Sequence, residues 1–364
     1  MRIGVIYGGN SLEHDVSIIT GLQVLNNLDI KKHKVIPLYL NRENELMSFK
    51  KLNDIETYNK KLKNKPKFTL VTNKGVHYLM CLNRKFHKKR KIDLIFNCTH
   101  GFNVEDGTIA SWLNFLNIPH TSSNLLSSSI SQDKDYTKLI MRSINVNVLN
   151  WITIKEDEKN NISDLIKDIN YPVIIKPSHL GSSIGIFIAH NKDELTDNIK
   201  QAFKYDNKVI IEQLLNNFKE YAISVYKRKN KLYCSKIEII NCNNEIFDFD
   251  EKYINHHKLI EHIFLEDSKL IDKIQEIAYR AYNKLEMNGI VRFDFLQDEN
   301  NIYLNEINTI PGGLSNYLYK DQISFKLLLD EQIREALFQH QQKNKHIKNY
   351  KSSILNNTEI SFKK

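Results

Sequence analysis

Residues 290–307 read as two apolar strands around a short turn, and the polar side chains within them fall in a regular pattern. Alternate residues of a strand share a face, so Arg292 and Asp294 point the same way in the first strand. Glu306 and Asn308 do likewise in the second. The apolar residues around them predict a largely buried sheet, and a buried carboxylate without a cation is costly. A fold for this chain must therefore give these carboxylates a positively charged partner.

Paired as a hairpin, the two strands bring two carboxylates, a carboxamide and an arginine together on one face. Such oxygen ligands beside a nucleotide suit Mg²⁺. The alternative is a polar strand face turned to solvent, which the apolar content of the strands disfavours. We predict a metal site formed by Asp294, Glu306 and Asn308.

A second feature is the segment KPSHLGSSIG at residues 176–185. An apolar strand delivers Lys176 to a loop of small residues, whose backbone amides and serine hydroxyls can approach an anion closely. The lysine precedes the glycines, so the segment is not a Walker A sequence. It predicts a phosphate-binding loop, with an ordinary turn between strands as the alternative.

The N-terminal residues alternate between strand and helix signals. Residues 2–7 and 33–40 are strand-like, and residues 11–28 have the apolar period of a helix, which predicts a parallel sheet with helices on its faces. Glu13 lies where the first strand meets the first helix, a position at which open α/β sheets bind ligands. It is equally a carboxylate suited to the first turn of a helix, so the two interpretations stay open.

The remaining periodicity predicts helices over 129–144 and 268–285 and strands over 92–97, 209–212, 221–226 and 232–240. His100 and Glu105 follow the strand 92–97 and are as ambiguous as Glu13. Residues 41–91 give weaker signals. Their basic stretch, 84–91, stops directly before an apolar strand, which favours a solvated loop over a nucleic-acid patch.

Composition narrows the class of protein. No apolar stretch approaches the ~18 residues of a membrane span, and the N-terminus has no secretory signal pattern. The four cysteines have no CxxC spacing, so we expect a reducing, cytoplasmic compartment and no disulfide framework. The formal net charge of +9 suits anionic partners such as nucleotides, nucleic acid or acidic lipid without choosing among them.

Seven segments, GGNSLEHDVS, HGFNVEDG, SQDK, KPSHLGSSIG, DEKY, RFDF and NEINTIPG, resemble in order those of the D-alanine–D-alanine ligase family of the ATP-grasp superfamily. The resemblance spans roughly residues 1–320. It implies a three-domain α/β and α+β architecture, with an N-terminal parallel-sheet domain over 1–120, a central ATP-grasp subdomain over 121–208 and a C-terminal subdomain with the metal site over 209–340. A polar, flexible tail is expected over 341–364.

The same resemblance implies that ATP binds between two sheets with two Mg²⁺ ions, for which Mn²⁺ can substitute. The expected nucleotide positions are Lys134, Lys176, Ser183 and Lys252 at the phosphates, Glu212, Leu215 and Phe247 at the adenine, and Glu220 at the ribose. Asp294, Glu306 and Asn308 would hold the ions.

In the family's reaction, the carboxylate of one D-alanine attacks the γ-phosphate to give an acyl phosphate. The amine of a second D-alanine then displaces phosphate, which forms D-alanyl-D-alanine for peptidoglycan. By resemblance, Glu13 binds the first ammonium, and Ser182 and Tyr253 join it in a hydrogen-bonded set that closes a loop over the site. Arg292 and the Gly312 backbone amide would stabilise the oxyanion.

His100 is expected near the first D-alanine. Three places depart from the family pattern, one of them an apparent extra residue between Glu212 and Glu220. Val104 stands where the loop usually has glycine. After Gly312 the family shows an apolar residue, a threonine and a serine that binds the second substrate's carboxylate. Tyr317 aligns with that serine here, and Ser315 or Asn316 are alternatives for its role.

The resemblance therefore implies an ATP-dependent ligase that joins two D-alanines. A ligase of the same family with another acceptor, such as D-serine or another amino or hydroxy acid, is the alternative, although Tyr253 favours an amine. A non-catalytic nucleotide- or nucleic-acid-binding protein is a third hypothesis. We expect a homodimer that takes small-molecule substrates, with no nucleic-acid or membrane partner.

Overall fold

Three β-sheets follow one another along the chain. The computed structural model describes residues 1–60, 62, 65–82, 89–240, 262–347 and 350. The first sheet has seven strands in the order β6-β5-β4-β3-β2-β1-β7. They are β1 Arg2–Gly8, β2 Lys34–Leu40, β3 Leu46–Met47, β4 Lys67–Asn73, β5 Val76–Cys81, β6 Lys89–Ile92 and β7 Leu94–Asn97.

The first sheet is parallel only at its centre, where β1 lies between β2 and β7. The strands from β3 to β6 are antiparallel, so the sheet is mixed and the predicted parallel pairing is confined to β1, β2 and β7. Short connections explain the antiparallel pairs β2–β3, β4–β5 and β5–β6, because a parallel crossover needs a dozen or more residues, whereas the longer segment 48–66 joins β3 to β4. Lys74 and Gly75 join β4 to β5 with φ values of 49° and 74°, as a two-residue hairpin turn requires.

The basic stretch contributes the edge strand of this sheet. Lys89–Ile92 pairs with β5, so the predicted solvated loop is wrong for residues 89–91, while 83–88 lie outside the described residues. Charged side chains on an edge strand disfavour pairing with another chain. The sheet is covered by α1, His14–Asn27, which the helical period over 11–28 predicted, and by α2, Thr108–Phe115.

The second sheet is antiparallel, in the order β10-β9-β11-β8. Its strands are β8 Trp151–Lys155, β9 Val173–Pro177, β10 Phe187–Ala189 and β11 Lys208–Gln213. Two helices, α5 Ile162–Leu165 and α6 Lys192–Ala202, belong to this part of the chain. Its core contains apolar side chains from both the sheet and the helices, including Ile175, Leu195 and Ile199.

The third sheet has the order β15-β14-β12-β16-β17, and β13 also pairs with β12. Its strands are β12 Lys219–Arg228, β13 Lys231–Cys234, β14 Glu238–Ile240, β15 Ile263–Phe264, β16 Val291–Gln297 and β17 Ile302–Asn308. Helix α7, Ser268–Lys284, packs on it through Ile274, Ile277 and Ala281. The last helix, α8 Phe325–Asn344, packs instead with the N-terminal core and runs past residue 341, where the flexible tail was expected to begin.

The single helix predicted over 129–144 is two helices, α3 Leu125–Gln132 and α4 Lys134–Ser143. Asp133 separates them because its backbone is extended, with φ −93° and ψ 107°, and its carboxylate accepts hydrogen bonds from the Asp135 and Tyr136 amides. Aspartate is a preferred N-cap, so the break places Lys134 at the start of α4. Within the described ranges, no helix has the length and apolar character needed to cross a bilayer.

Candidate active site

The predicted hairpin forms as expected and gathers its polar side chains. Strands β16 and β17 pair antiparallel, with Asp294 opposite Glu306 and Arg292 opposite Asn308. Arg292 donates from Nε and Nη2 to the two carboxylate oxygens of Asp294 at 2.8 and 2.9 Å. Asn308 Nδ2 donates to Asp294 Oδ2 at 3.0 Å. The cationic partner that the sequence demanded for Asp294 is therefore Arg292 itself.

The serine–glycine turn, residues 181–185, faces this hairpin. Its backbone is left-handed at Ser182, Ser183 and Gly185, with φ of 55°, 58° and 72°. Gly181 makes a close approach: a Cβ there would lie 3.3 Å from Glu13 Oε1 and 3.5 Å from Glu306 Oε1. The turn thus meets a carboxylate from the first helix and one from the hairpin, which the sequence could not place together.

Glu13 stands at the N-cap of α1 but makes no capping hydrogen bond with its side chain. It accepts a hydrogen bond from Ser182 Oγ instead. Burial raises its pKa, as does the nearby carboxylate of Glu306, against the opposing effect of the Ser182 hydrogen bond. These contacts favour the ligand interpretation of Glu13 over a helix-first-turn role.

A small cavity of about 20 Å³ lies between the turn and the hairpin, with room for one or two water-sized groups. Its lining consists mainly of polar side chains from five segments of the chain: Glu13, Glu105, Ser131, Gln132, Lys134, Gly181, Glu306, Ile307 and Asn308. Across the described residues, no three His, Cys, Asp or Glu side chains gather closely enough to hold a metal ion. The two carboxylates and one carboxamide of the hairpin fit Mg²⁺ when phosphate oxygens complete its shell.

Lys176 lies on β9 and is paired with a buried carboxylate. Its Nζ is 2.6 Å from Glu212 Oε2, and Lys138 Nζ is 2.5 Å from Glu212 Oε1. Burial opposes ionisation of Glu212, yet the two ammonium groups lower its pKa to about 2. The Glu212 carboxylate therefore sits between lysines in this structure and is not open toward an adenine. Sequence reasoning missed Lys138, although its spacing of four residues from Lys134 puts both on one helix face.

Lys134 ties α4 to the segment that precedes the serine–glycine turn. Its backbone amide donates to Ser178 O at 3.0 Å, and its Nζ donates to Leu180 O. The side chain also lines the small cavity. The two lysines predicted at phosphates thus lie on adjoining elements, with Lys134 beside the carboxylates and Lys176 beside Glu212.

His100 is buried close to the turn that follows β17. Its Nε2 lies 2.8 Å from Thr20 Oγ1, and the same hydroxyl accepts from the Gly313 amide at 3.0 Å. Burial lowers the pKa of His100 to about 3, with help from the Arg292 charge, so the imidazole is neutral. Thr20 joins His100 to the segment after Gly312, a role for which the sequence carried no signal.

Glu105 connects the loop after β7 to the end of β17. One carboxylate oxygen accepts from Ile310 N at 2.8 Å and Thr309 Oγ1 at 3.1 Å, and the other accepts from Gly101 N at 3.0 Å. Burial raises its pKa to about 8, with a smaller contribution from Glu13. Its position after a strand was ambiguous in the sequence, and the structure shows it holding two site loops together.

The segment after Gly312 separates the three candidates for the family serine. Ser315 is completely buried, so it offers no surface to a substrate in this structure. Asn316 and Tyr317 are partly exposed, and the Tyr317 hydroxyl donates to Glu238 Oε2 at 2.8 Å. Tyr317 also stacks on His262, with ring centroids 4.6 Å apart.

Two further predicted positions lie at the end of the second sheet and the start of the third. Leu215 follows β11 and Glu220 lies on β12, and both are half-buried. The predicted residues Phe247, Lys252 and Tyr253 lie outside the described residues. The structure brings Glu13, Ser182 and the hairpin together, and the roles of all these residues remain predictions.

Comparison with known proteins agrees with this geometry. The family model for the D-ala D-ala ligase N-terminus matches residues 2–123, and that for the D-ala D-ala ligase C-terminus matches residues 140–331. A D-alanine–D-alanine ligase from Thermosipho melanesiensis is 36% identical over 347 residues, which cover 93% of this chain and 94% of the relative.

Solved structures share the fold over almost their whole length. The D-alanine–D-alanine ligase from Helicobacter pylori matches with a TM-score of 0.77 at 28% identity, covering 92% of this chain and 98% of its own. The VanG D-Ala:D-Ser ligase from Enterococcus faecalis gives 0.77 at 29%, with 92% and 99% covered. The Bacillus anthracis D-alanine–D-alanine ligase complexed with ATP gives 0.69 at 27%, with 94% and 99% covered.

Two antiparallel sheets, one with a serine–glycine turn and the other with an acidic hairpin facing it, define a ligase of ATP-grasp architecture. The matches extend through the N-terminal mixed sheet as well as through both of these sheets. The chain belongs to the D-alanine–D-alanine ligase family.

Proposed function

We propose that this protein joins two D-alanine molecules into D-alanyl-D-alanine at the expense of ATP, for peptidoglycan precursor synthesis. The single observation that carries the proposal is the convergence of Glu13, the serine–glycine turn and the β16–β17 hairpin on one small cavity. Each contributes a part that acyl activation needs: an anchor for an ammonium, a phosphate-binding turn and an oxygen-rich metal site.

The first D-alanine would bind between Glu13 and His100. An ammonium beside Glu13 would restore the ionised form that burial disfavours. The neutral imidazole of His100, held by Thr20, can approach the substrate without adding charge. Ser182, bonded to Glu13, would close the turn over this subsite, and Tyr253 completes the expected set.

The nucleotide phosphates would lie along the serine–glycine turn. Lys134, Lys176 and the Ser183 segment supply donors there, which requires Lys176 to exchange Glu212 for phosphate. Lys252 would add a further cation. Leu215, Glu212 and Phe247 are proposed at the adenine and Glu220 at the ribose; for Glu212 this requires release from its two lysines.

Asp294, Glu306 and Asn308 would hold Mg²⁺, or Mn²⁺ in its place, together with phosphate oxygens. Bound Mg²⁺ supplies neutralisation of the charge that develops in phosphoryl transfer. Arg292, anchored on Asp294, and the Gly312 amide would face the oxyanion formed when the second amine attacks. Removal of one such donor typically costs about 10²–10³ in rate.

The acceptor subsite supports a second candidate reaction, ligation to an acceptor other than D-alanine. Tyr317 stands where the family pattern has a serine, and its hydroxyl is committed to Glu238. A structural neighbour with 29% identity is named a D-Ala:D-Ser ligase. We favour D-alanine as the acceptor because the relative with 36% identity is named a D-alanine–D-alanine ligase.

The protein is further proposed to act as a cytoplasmic homodimer on small molecules, without a nucleic-acid or membrane partner. The domain limits 1–120, 121–208 and 209–340 stay predictions consistent with the three sheets. Gel filtration with light scattering tests the dimer directly.

Purified protein with ATP, Mg²⁺ and D-alanine should release phosphate and form the dipeptide in equal amounts. Absence of dipeptide over a range of pH and potassium concentration would exclude the assignment. A panel of acceptors separates the two candidate reactions by their kcat/KM values. A much higher kcat/KM with D-serine than with D-alanine would show that D-serine is the second substrate. Salt-sensitive DNA binding tighter than ATP binding would instead favour a nucleic-acid role.

A further inference from the structure

His179 lies between β9 and the serine–glycine turn, with a carboxylate on each side of its ring. Its backbone amide and Nδ1 contact Asp206 oxygens at 2.7 and 2.9 Å. Its Nε2 lies 3.2 Å from Asp133 Oδ2. Asp206 comes from the segment after α6 and Asp133 from the N-cap of α4, so one side chain joins three separate elements.

The geometry defines the protonation state of this ring. A neutral imidazole has one N–H and one lone pair, and the lone pair would face a carboxylate on one side or the other. Only the imidazolium can donate to both Asp133 and Asp206. Burial opposes the charge, but the hydrogen bonds and charges of the two carboxylates raise the pKa of His179 to about 9.

Two further charged groups face this cluster within the described residues: Lys208, at the start of β11, and Asp135, on α4. Lys208 Nζ lies 2.9 Å from Asp133 Oδ2 and 2.8 Å from Asp135 Oδ2. From the N-terminal part of the chain, the Phe102 ring stacks on the imidazole, with centroids 4.9 Å apart and planes inclined by 21°. Three carboxylates thus share two cations, and loss of the His179 charge would leave only Lys208 to balance them.

The cluster is joined by hydrogen bonds to the predicted phosphate site. Ser178 Oγ donates to Asp133 Oδ1 at 2.8 Å, while Lys134 donates from its backbone to Ser178 O at 3.0 Å and from its Nζ to Leu180 O. A displacement of His179 would therefore move residues 178–180, which lead into the serine–glycine turn. It would also move the first turn of α4, where Lys134 lies.

We propose that protonated His179 is a positioning residue, which holds the serine–glycine turn and Lys134 in the arrangement that binds the phosphates of a nucleotide. This inference rests on the proposed function only in its assignment of that turn to ATP. The hydrogen bonds of the His179 ring go to Asp133 and Asp206, so its effect on the turn is exerted through these two carboxylates.

The test compares His179→Gln, which removes the charge, with His179→Arg, which keeps it. ATP affinity is measured directly by calorimetry with Mg²⁺ and without D-alanine, and kcat and KM for ATP are measured separately. One charged hydrogen bond corresponds to roughly a tenfold change or more, so we expect His179→Gln to weaken ATP binding about tenfold while kcat changes far less. His179→Arg should stay close to wild type, as should His190→Gln, a substitution of an exposed histidine in the same sheet region.

The pH dependence distinguishes positioning from general destabilisation. The raised pKa means that the contribution of His179 is complete below about pH 6.5 and is lost as the pH rises through about 9. Wild-type ATP affinity should fall over that interval, whereas neither His179 variant should show this step. Should His179→Gln fail to fold, Asp206→Asn, which neutralises one of the two carboxylates, should weaken ATP binding and lower the pH of the step.

Unchanged ATP affinity in His179→Gln, or a pH step that survives in it, would overturn the inference. Equal weakening in His179→Arg and His179→Gln would also overturn it, because the charge would then be irrelevant. The proposed function can fail independently of this inference. A wild-type protein that binds ATP but forms no dipeptide would refute the ligase reaction. If its ATP affinity still depended on His179, the positioning role would be supported.

Discussion

Replacement of Glu212 by glutamine removes a negative charge from between two buried lysines. Lys138 and Lys176 lie 2.5 and 2.6 Å from its carboxylate oxygens, and none of the three side chains is more than 9% exposed. The substitution conserves shape, so its main consequence is electrostatic. Two ammonium groups would face each other with only a neutral amide between them.

The magnitude follows from the pKa of the carboxylate. Its folded value of about 2, against an ordinary 4.5, is a difference of about 2.5 units, which corresponds to about 3 kcal/mol. Truncation of one member of a buried ion pair typically costs about 3–5 kcal/mol, in agreement. Because the folded pKa is lowered, the contribution is complete above about pH 4.5 and is lost only as the pH falls through 2. The full effect is therefore present at pH 7.

Urea or thermal unfolding at pH 7 measures the loss. Glu299→Gln, at an exposed glutamate in the turn between β16 and β17, makes the same chemical change away from any buried cation and should leave the free energy of unfolding nearly unchanged. The reasoning is wrong if the loss in the free energy of unfolding in Glu212→Gln exceeds that in the control by less than about 1 kcal/mol. The two lysines would then not depend on Glu212 for their stability in the folded protein.

Three further predictions concern the site itself. Glu306→Gln should lower Mg²⁺-dependent turnover at least about 100-fold while the melting temperature changes little; equal losses of activity and stability would contradict a metal role. Thr20→Val removes the hydroxyl shared by His100 and Gly313 and should lower kcat/KM for D-alanine about tenfold, whereas an unchanged value would show that the link is dispensable. Burial raises the pKa of Glu105 to about 8. Its favourable contribution to the free energy of unfolding is therefore complete below about pH 4.5 and is lost as the pH rises through 8. The melting temperature should therefore drop more between pH 6.5 and 9.5 in wild type than in Glu105→Gln. The same drop in both proteins would refute the raised pKa of Glu105.

The hairpin shows how far local pattern carries a prediction. Its strands, their antiparallel pairing and the shared face of Asp294 and Glu306 all follow from alternation along two short segments, and the structure confirms them. The alternation could not reveal that Arg292 donates hydrogen bonds to both carboxylate oxygens of Asp294. That contact depends on side-chain conformation, which the sequence pattern does not encode.

The helix predicted over 129–144 shows a different limit. Apolar period alone merged α3 with α4, because the break depends on one residue, Asp133, whose carboxylate caps the second helix. An N-cap signal was present in the sequence. Its consequence for function, the placement of Lys134 against Ser178 and Leu180, required the position of β9.

What the sequence determined by itself is what depends on neighbours along the chain: the strand and helix periods, the small residues of the turn and the types of donor at each motif. What only the tertiary structure decided is which distant groups meet. Glu13 reaches Ser182 across 169 positions, Thr20 reaches Gly313 across 293, and Lys138 shares Glu212 with Lys176. The physical reason is that burial and Coulomb energy depend on distance in space, and packing of the three sheets sets those distances.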